Sequence, residues 1–184
     1  MRSKDIAGAA VLAALASLLT LSGASTLLRM PPPFSYLVFD PSEIPSLIAY
    51  FSFNFRVSFL VAVIHFIFLL FRGEFIPIGP FMKFSAVISM LIGFHVAFKM
   101  KRKEIFCVMF SSLFRALVMT VVNIIVLITL FRDLILSVSS NYTIGLLLIL
   151  LVTAIYNVIH VALFNYPVAR AIVYQIERIK KLKY

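Results

Sequence analysis

Apolar residues run along the chain in long blocks that polar residues interrupt only briefly, and most blocks have the length of a membrane crossing. After a charged start (Arg2, Lys4, Asp5), residues 6–28 are apolar or small almost throughout. A cleaved signal peptide is the other reading of this segment, with small residues at Gly23, Ala24 and Ser25; a retained first helix is simpler, because the remainder of the chain is equally apolar. Residues 29–43 form a loop, which the consecutive Pro31, Pro32 and Pro33 keep out of helix. At its end Asp40, Pro41 and Glu43 resemble a helix start with a capping box, and Ser42 as the cap with Pro45 in the first turn fits equally well. Residues 44–71 are apolar again but carry Asn54 and Arg56. They divide into a short helix at 44–53, a turn, and a longer helix at 57–71, a half-length helix being tolerated where protein surrounds it. One long tilted helix is the alternative. A loop at 72–80 leads to a run at 81–98, a hydrophilic break at 99–104, a run at 105–131 containing Arg115 and Asn123, a polar loop at 132–141 and a last run at 142–174 bearing Asn157, His160 and Pro167. A basic tail at 177–184 ends the chain.

Composition turns these blocks into a fold class. Of 184 residues, 62% are apolar and 13% charged, against about 45–50% and about 25% in soluble domains. That excludes an ordinary soluble domain and makes lipid the solvent for most of the chain. At roughly 20 residues per crossing, five or six crossings leave no room for a separate catalytic or nucleotide-binding domain. The expectation is one all-α integral membrane domain over 1–184 with six transmembrane helices, the second one short. The net charge of +10 sits mainly between apolar runs, so it reads as a topology signal rather than a nucleic-acid footprint. With six crossings the side holding both termini carries eleven cations: Arg2, Lys4, Arg56, Lys99, Lys101, Arg102, Lys103, Arg178, Lys180, Lys181 and Lys183. The other side carries three: Arg29, Arg72 and Arg132. This asymmetry puts both termini in the cytoplasm. Five crossings would strand the 99–103 cluster on the side opposite the N-terminus.

Enzyme signatures are missing. The chain has no Walker A loop, no HExxH and no GxSxG. It has one cysteine, Cys107, and its histidines His65, His95 and His160 fall on three different runs, so neither a disulfide nor a metal site is expected. What remains is a sparse set of polar groups at membrane depth: Lys83, Asn123, Asn157 and His160. Such groups are expensive in lipid and face the protein interior or a wet cavity; hydrogen bonding between helices, at about 0.6 kcal/mol on average, explains any single one equally well. Asn157 and His160, three apart, share a helix face, and with Asn123 on the neighbouring run they suit a neutral, polar heteroaromatic ligand. The aromatic stretch 36–39 belongs to an interfacial belt or caps such a pocket. In the first helix Ala9, Ala13 and Ser17 recur every four residues beside Ala10 and Ala14, a small-residue ridge that serves internal packing or the docking of another membrane protein.

Several stretches in order resemble the substrate-binding S components of energy-coupling-factor (ECF) vitamin transporters, the riboflavin-type members in particular. The ridge Ala9-x-x-x-Ala13 with Ala10-x-x-x-Ala14 is similar to theirs. Leu37-Val-Phe-Asp40-Pro-Ser-Glu-Ile-Pro45-Ser-Leu-Ile48 resembles the family's LKFDxSDIPxLI signature, the most specific part of the match. Ile78-Gly-Pro-Phe-Met-Lys83-Phe84 resembles the xGELANF stretch, Leu117-Val-Met-Thr-Val-Val-Asn123 the LVMT segment with its asparagine, and Ile155-Tyr-Asn157-Val-Ile-His160 the PFNLIK segment. The resemblance implies a six-helix, non-enzymatic cell-membrane protein that binds one vitamin, riboflavin first, as transported ligand and not as cofactor, in a pocket open to the outside. It implies docking through the first helix onto a membrane coupling subunit driven by two cytoplasmic ATPase subunits. By position Asn123, Asn157 and His160 would contact the ligand's polar edge, and the loop carrying Leu37, Val38, Phe39 and Asp40 would cover it. Three positions depart from the family pattern: His160 stands for a lysine, Lys83 for an asparagine, and Phe55-Arg56 for Gly-Pro. Lys83 would restore a cation from a different helix.

Overall fold

The computed structural model describes residues 2–72 and 75–182. Met1, Gly73 and Glu74 of the expected loop, and Lys183 and Tyr184 of the expected tail, lie outside the described residues.

The first apolar block is not one helix. α1 covers Ser3–Leu21 and stops at Gly23, whose φ of +69° is a left-handed conformation that glycine adopts without strain. A one-turn helix α2, Ala24–Leu27, comes next. The chain then doubles back as a narrow hairpin, Met30 N–H donating to Leu37 O (3.0 Å) and Phe39 N–H to Leu28 O (3.1 Å). Asp40 caps the 3₁₀ turn Pro41–Glu43, its carboxylate accepting from Ser42 N–H at 2.9 Å, with Pro41 in the first position where its missing N–H costs nothing. Beyond it lie α3, Ile44–Ser52, and α4, Phe55–Arg72, separated at Phe53–Asn54, where the Asn54 side chain accepts from Val57 N–H.

α5 is Ile78–Lys99 and α6 is Glu104–Leu130. They pack closely at Gly93, where an added Cβ would stand 2.7 Å from Ser111 Cα. The expected loop at 132–141 is instead largely α7, Arg132–Val138. It forms because Gly145 lets it lie directly on the next helix: a Cβ there would stand 2.4 Å from Ile135 O, and Ile135 is wholly buried with Leu127 and Ile149. The last block runs well past residue 174. α8, Tyr142–Ile159, continues through a π-helical turn, His160–Asn165, into α9, Tyr166–Leu182. The wide turn stands just before Pro167, which lacks an N–H and would crowd the preceding helical turn.

Among the described residues five helical stretches are long and apolar enough to cross a membrane, the last being the 41-residue α8–α9 rod. Their outer faces stay apolar, Val11 at 68% and Leu117 at 65% exposed being examples. This inversion of soluble-protein patterning marks a multi-pass membrane protein. The helices close a ring: α1 packs on α4, α4 on α5, α5 on α6, α6 on α8, and α9 on α3, which returns to α1. At nine residues, α3 is only about 14 Å long, half the roughly 30 Å of a bilayer core. Its half of the ring is solid, packed with Leu47, Tyr50, Phe51, Phe94, Phe98 and Tyr166. In the other half α3 is too short to fill the ring, and there the hairpin enters and a cavity opens.

Candidate functional site

The cavity measures about 400 Å³. Gly23, Thr26, Arg29, Arg72, Phe75 and Leu134 line one part of it. Leu69, Ala86, Met119, Val126 and Leu127 make apolar walls. Asp40, Glu43, Lys83, Arg115, Asn123 and Asn157 supply polar groups.

Helical spacing gathers these side chains. Arg115, Met119 and Asn123 recur every four residues on the buried stripe of α6. Thr153, Tyr156 and Asn157 form the facing stripe of α8, and Lys83 and Ala86 come from α5. The hairpin is tied to α8 by Tyr156, whose hydroxyl donates to Val38 O, and by Tyr36, 3.1 Å from the Thr153 hydroxyl.

Two ion pairs anchor the base. Arg115 forks onto Glu43, Nη1 donating to Oε2 at 2.5 Å and Nη2 to Oε1 at 3.2 Å, both side chains about 3–4% exposed. Its Nε donates to Asn157 Oδ1 at 2.9 Å, and Nη2 lies 3.2 Å from His160 Nδ1. The Tyr156 hydroxyl lies 2.9 Å from the same ring nitrogen. Asn165, presented by the π-helical turn, donates to Glu43 at 2.8 Å. The second pair is Lys83 with Asp40, Lys83 also donating to Ser42 Oγ at 2.5 Å. Two carboxylates thus reach the bundle interior where the spans themselves offer few, because the loop carries them in.

The residues singled out from sequence separate into three places. Asn123, Asn157, Lys83, Leu37, Val38 and Asp40 line the cavity. His160 does not: it is fully buried behind the wall, bracing Arg115. Phe39 also turns inward, its ring 5.0 Å from Tyr156, 5.4 Å from His160 and 5.8 Å from Phe164, so it seats the hairpin rather than covering the cavity. On α1, Ala9 and Ala13 are consumed by internal packing against Ala49, Val57 and Val61, whereas Ala10 and Ala14 are exposed. Ala9 and Ala13 therefore offer no outward docking surface; they let α3 and α4 approach. The sequence reading passed over Arg115 and Glu43 as site residues. The available signal was an arginine inside an otherwise apolar 27-residue helix, which demands a buried counter-ion. Among the described residues no three His, Cys, Asp or Glu side chains gather as a metal site.

No family model matches the chain, and no curated protein matches it. Among solved structures it is similar to the S component of a bacterial ECF transporter, with a TM-score of 0.70 and 23% identity over 99% of this chain and 98% of that chain. The likeness runs end to end, so the chain has the fold of an ECF S component.

Proposed function

We propose that this chain is the substrate-binding subunit of an ECF-type importer and that its cavity holds a vitamin, riboflavin first. The observation that carries the reading is the half-length α3, which leaves about 400 Å³ of the ring open with apolar walls and convergent amides at Asn123 and Asn157, the makeup of a small-molecule site. In this reading the hairpin and α3 together make the second of six crossings, and both termini are cytoplasmic, as the cation asymmetry supports. The cavity then opens to the outside of the cell membrane. The chain performs no chemistry on its ligand and carries no nucleotide motif, so import is powered by two ATPase subunits acting through a membrane coupling subunit. The exposed Ala10–Ala14 face of α1 is the close-approach surface offered to that subunit.

The test is uptake of radiolabelled riboflavin into a host unable to import it. Accumulation is expected when the chain is co-expressed with a coupling subunit and two ATPases, and none when the ATPase sites are inactivated. Accumulation that ignores the ATPases, or none with any coupling module, contradicts the proposal.

A further inference from the structure

We infer that the inner end of the ligand is an uncharged ring rich in hydrogen-bond acceptors and that Lys83, not Arg115, is the cation that reads it. The inference rests on the reading that the cavity binds a small molecule. It comes from counting protons. Arg115 has five N–H groups, and all are engaged: Nε with Asn157, two with Glu43, one toward His160 Nδ1, and one toward Met90 Sδ at 3.9 Å. It has nothing left for a ligand. Lys83 has three protons and, among the described residues, two partners, Asp40 and Ser42. Its side chain is 17% exposed and lines the cavity, so the third proton is a charge-assisted donor left for a ligand. Asn123 donates to Met119 O and Asn157 to Thr153 O, which leaves each one further amide proton. Of these two amides, Asn157 Oδ1 is taken by Arg115, and Asn123 Oδ1 remains as an acceptor.

Lys83, Asn123 and Asn157 thus each keep one proton for a ligand, and a ligand that left them unpaired in a dry cavity would lose the desolvation cost of each. The charges at the base also balance, Lys83 against Asp40 and Arg115 against Glu43. A charged group pressed there would stand without a counter-ion. A flat ring with carbonyl or ring-nitrogen acceptors and no net charge fits both conditions.

The experiment uses the full-length chain purified in detergent, with thermal unfolding as the common readout and fluorescence titration for riboflavin. Three probes are compared: riboflavin (uncharged), thiamine (cationic) and biotin (anionic). Riboflavin alone is expected to stabilise the protein. Lys83→Met is expected to weaken riboflavin about ten- to a hundredfold, the range for losing a charge-assisted hydrogen bond, and Lys83→Arg to retain most of the affinity. Wild type is expected to discriminate against thio analogues in which sulfur replaces a ring carbonyl oxygen, and Lys83→Met to lose that discrimination, which a purely structural lysine would not cause. Lys83→Met/Asp40→Asn keeps the charge balance should the single variant fold poorly. Undiminished affinity in Lys83→Met and in Lys83→Met/Asp40→Asn overturns the role of Lys83. Stabilisation by thiamine or biotin alone overturns the uncharged-ring assignment while ligand binding stands. No stabilisation by any probe removes the ligand-binding reading and this inference with it.

Discussion

Replacing Arg115 by methionine strips a buried cation from the centre of the bundle and leaves Glu43 facing a dry interior. Among the described residues only Asn165, at 2.8 Å, would still donate to that carboxylate, and Asn157 and His160 would each lose a donor. Removing one partner of a buried pair costs about 3–5 kcal/mol, whereas replacing both by groups of similar shape is often near neutral. The structure therefore sets two unequal costs. Arg115→Met alone should lower the unfolding midpoint by roughly 10 °C, taking about 2–4 °C per kcal/mol for a chain of this size. Arg115→Met/Glu43→Gln should recover more than half of that loss, since the uncharged amide keeps its bond with Asn165. Thermal unfolding of detergent-purified protein, followed by a thiol-reactive dye at the buried Cys107, measures both. If the single variant melts with wild type, or the double variant is as unstable as the single, the Arg115–Glu43 pair does not hold the hairpin in the ring.

The packing sets three further outcomes. Asn157→Ala should weaken ligand binding by roughly 1–3 kcal/mol, through the lost amide and the loosened Arg115; unchanged affinity in titration would place Asn157 outside the site. Ala14→Leu, on the exposed face of α1, should leave ligand binding and unfolding intact but block coupled uptake, whereas Ala13→Leu should destabilise the protein by about 1–3 kcal/mol because it overpacks the contact with Ala49 and Val61; equal behaviour of the two in a parallel melt and uptake assay would refute the assignment of faces. Gly93→Ala should destabilise by a similar 1–3 kcal/mol, since the contact at 2.7 Å is with the Ser111 backbone and cannot rotate away, and a midpoint within error of wild type would show that α5 and α6 have room to part.

What could be read ahead of the structure was whatever lipid enforces locally. Long apolar blocks show the crossings, and Asn54 and Arg56 show the break that leaves α3 short, because polar residues in such blocks need a reason. Asn123 and Asn157 stand out for the same cause. Contacts distant in sequence were hidden. Glu43 reads as a helix-start residue, and nothing local says that it meets Arg115 seventy-two positions on. His160 shares a helical stripe with Asn157, yet the π-helical turn beginning at that residue and the inward turn of Phe39 bury it behind the wall. α7 depends on Gly145, which lies across from it, and Gly23 cuts a block whose hydropathy alone continues to residue 28.

The central claim, a vitamin seated over Asn123, Asn157 and Lys83, is tested most directly by purifying the chain in detergent from riboflavin-fed cells, recording its absorption spectrum, and titrating the stripped protein with riboflavin by fluorescence. Flavin bands in the purified protein are expected, with saturable one-to-one quenching in roughly the nanomolar to micromolar range. A colourless preparation that leaves flavin fluorescence unchanged would contradict the claim.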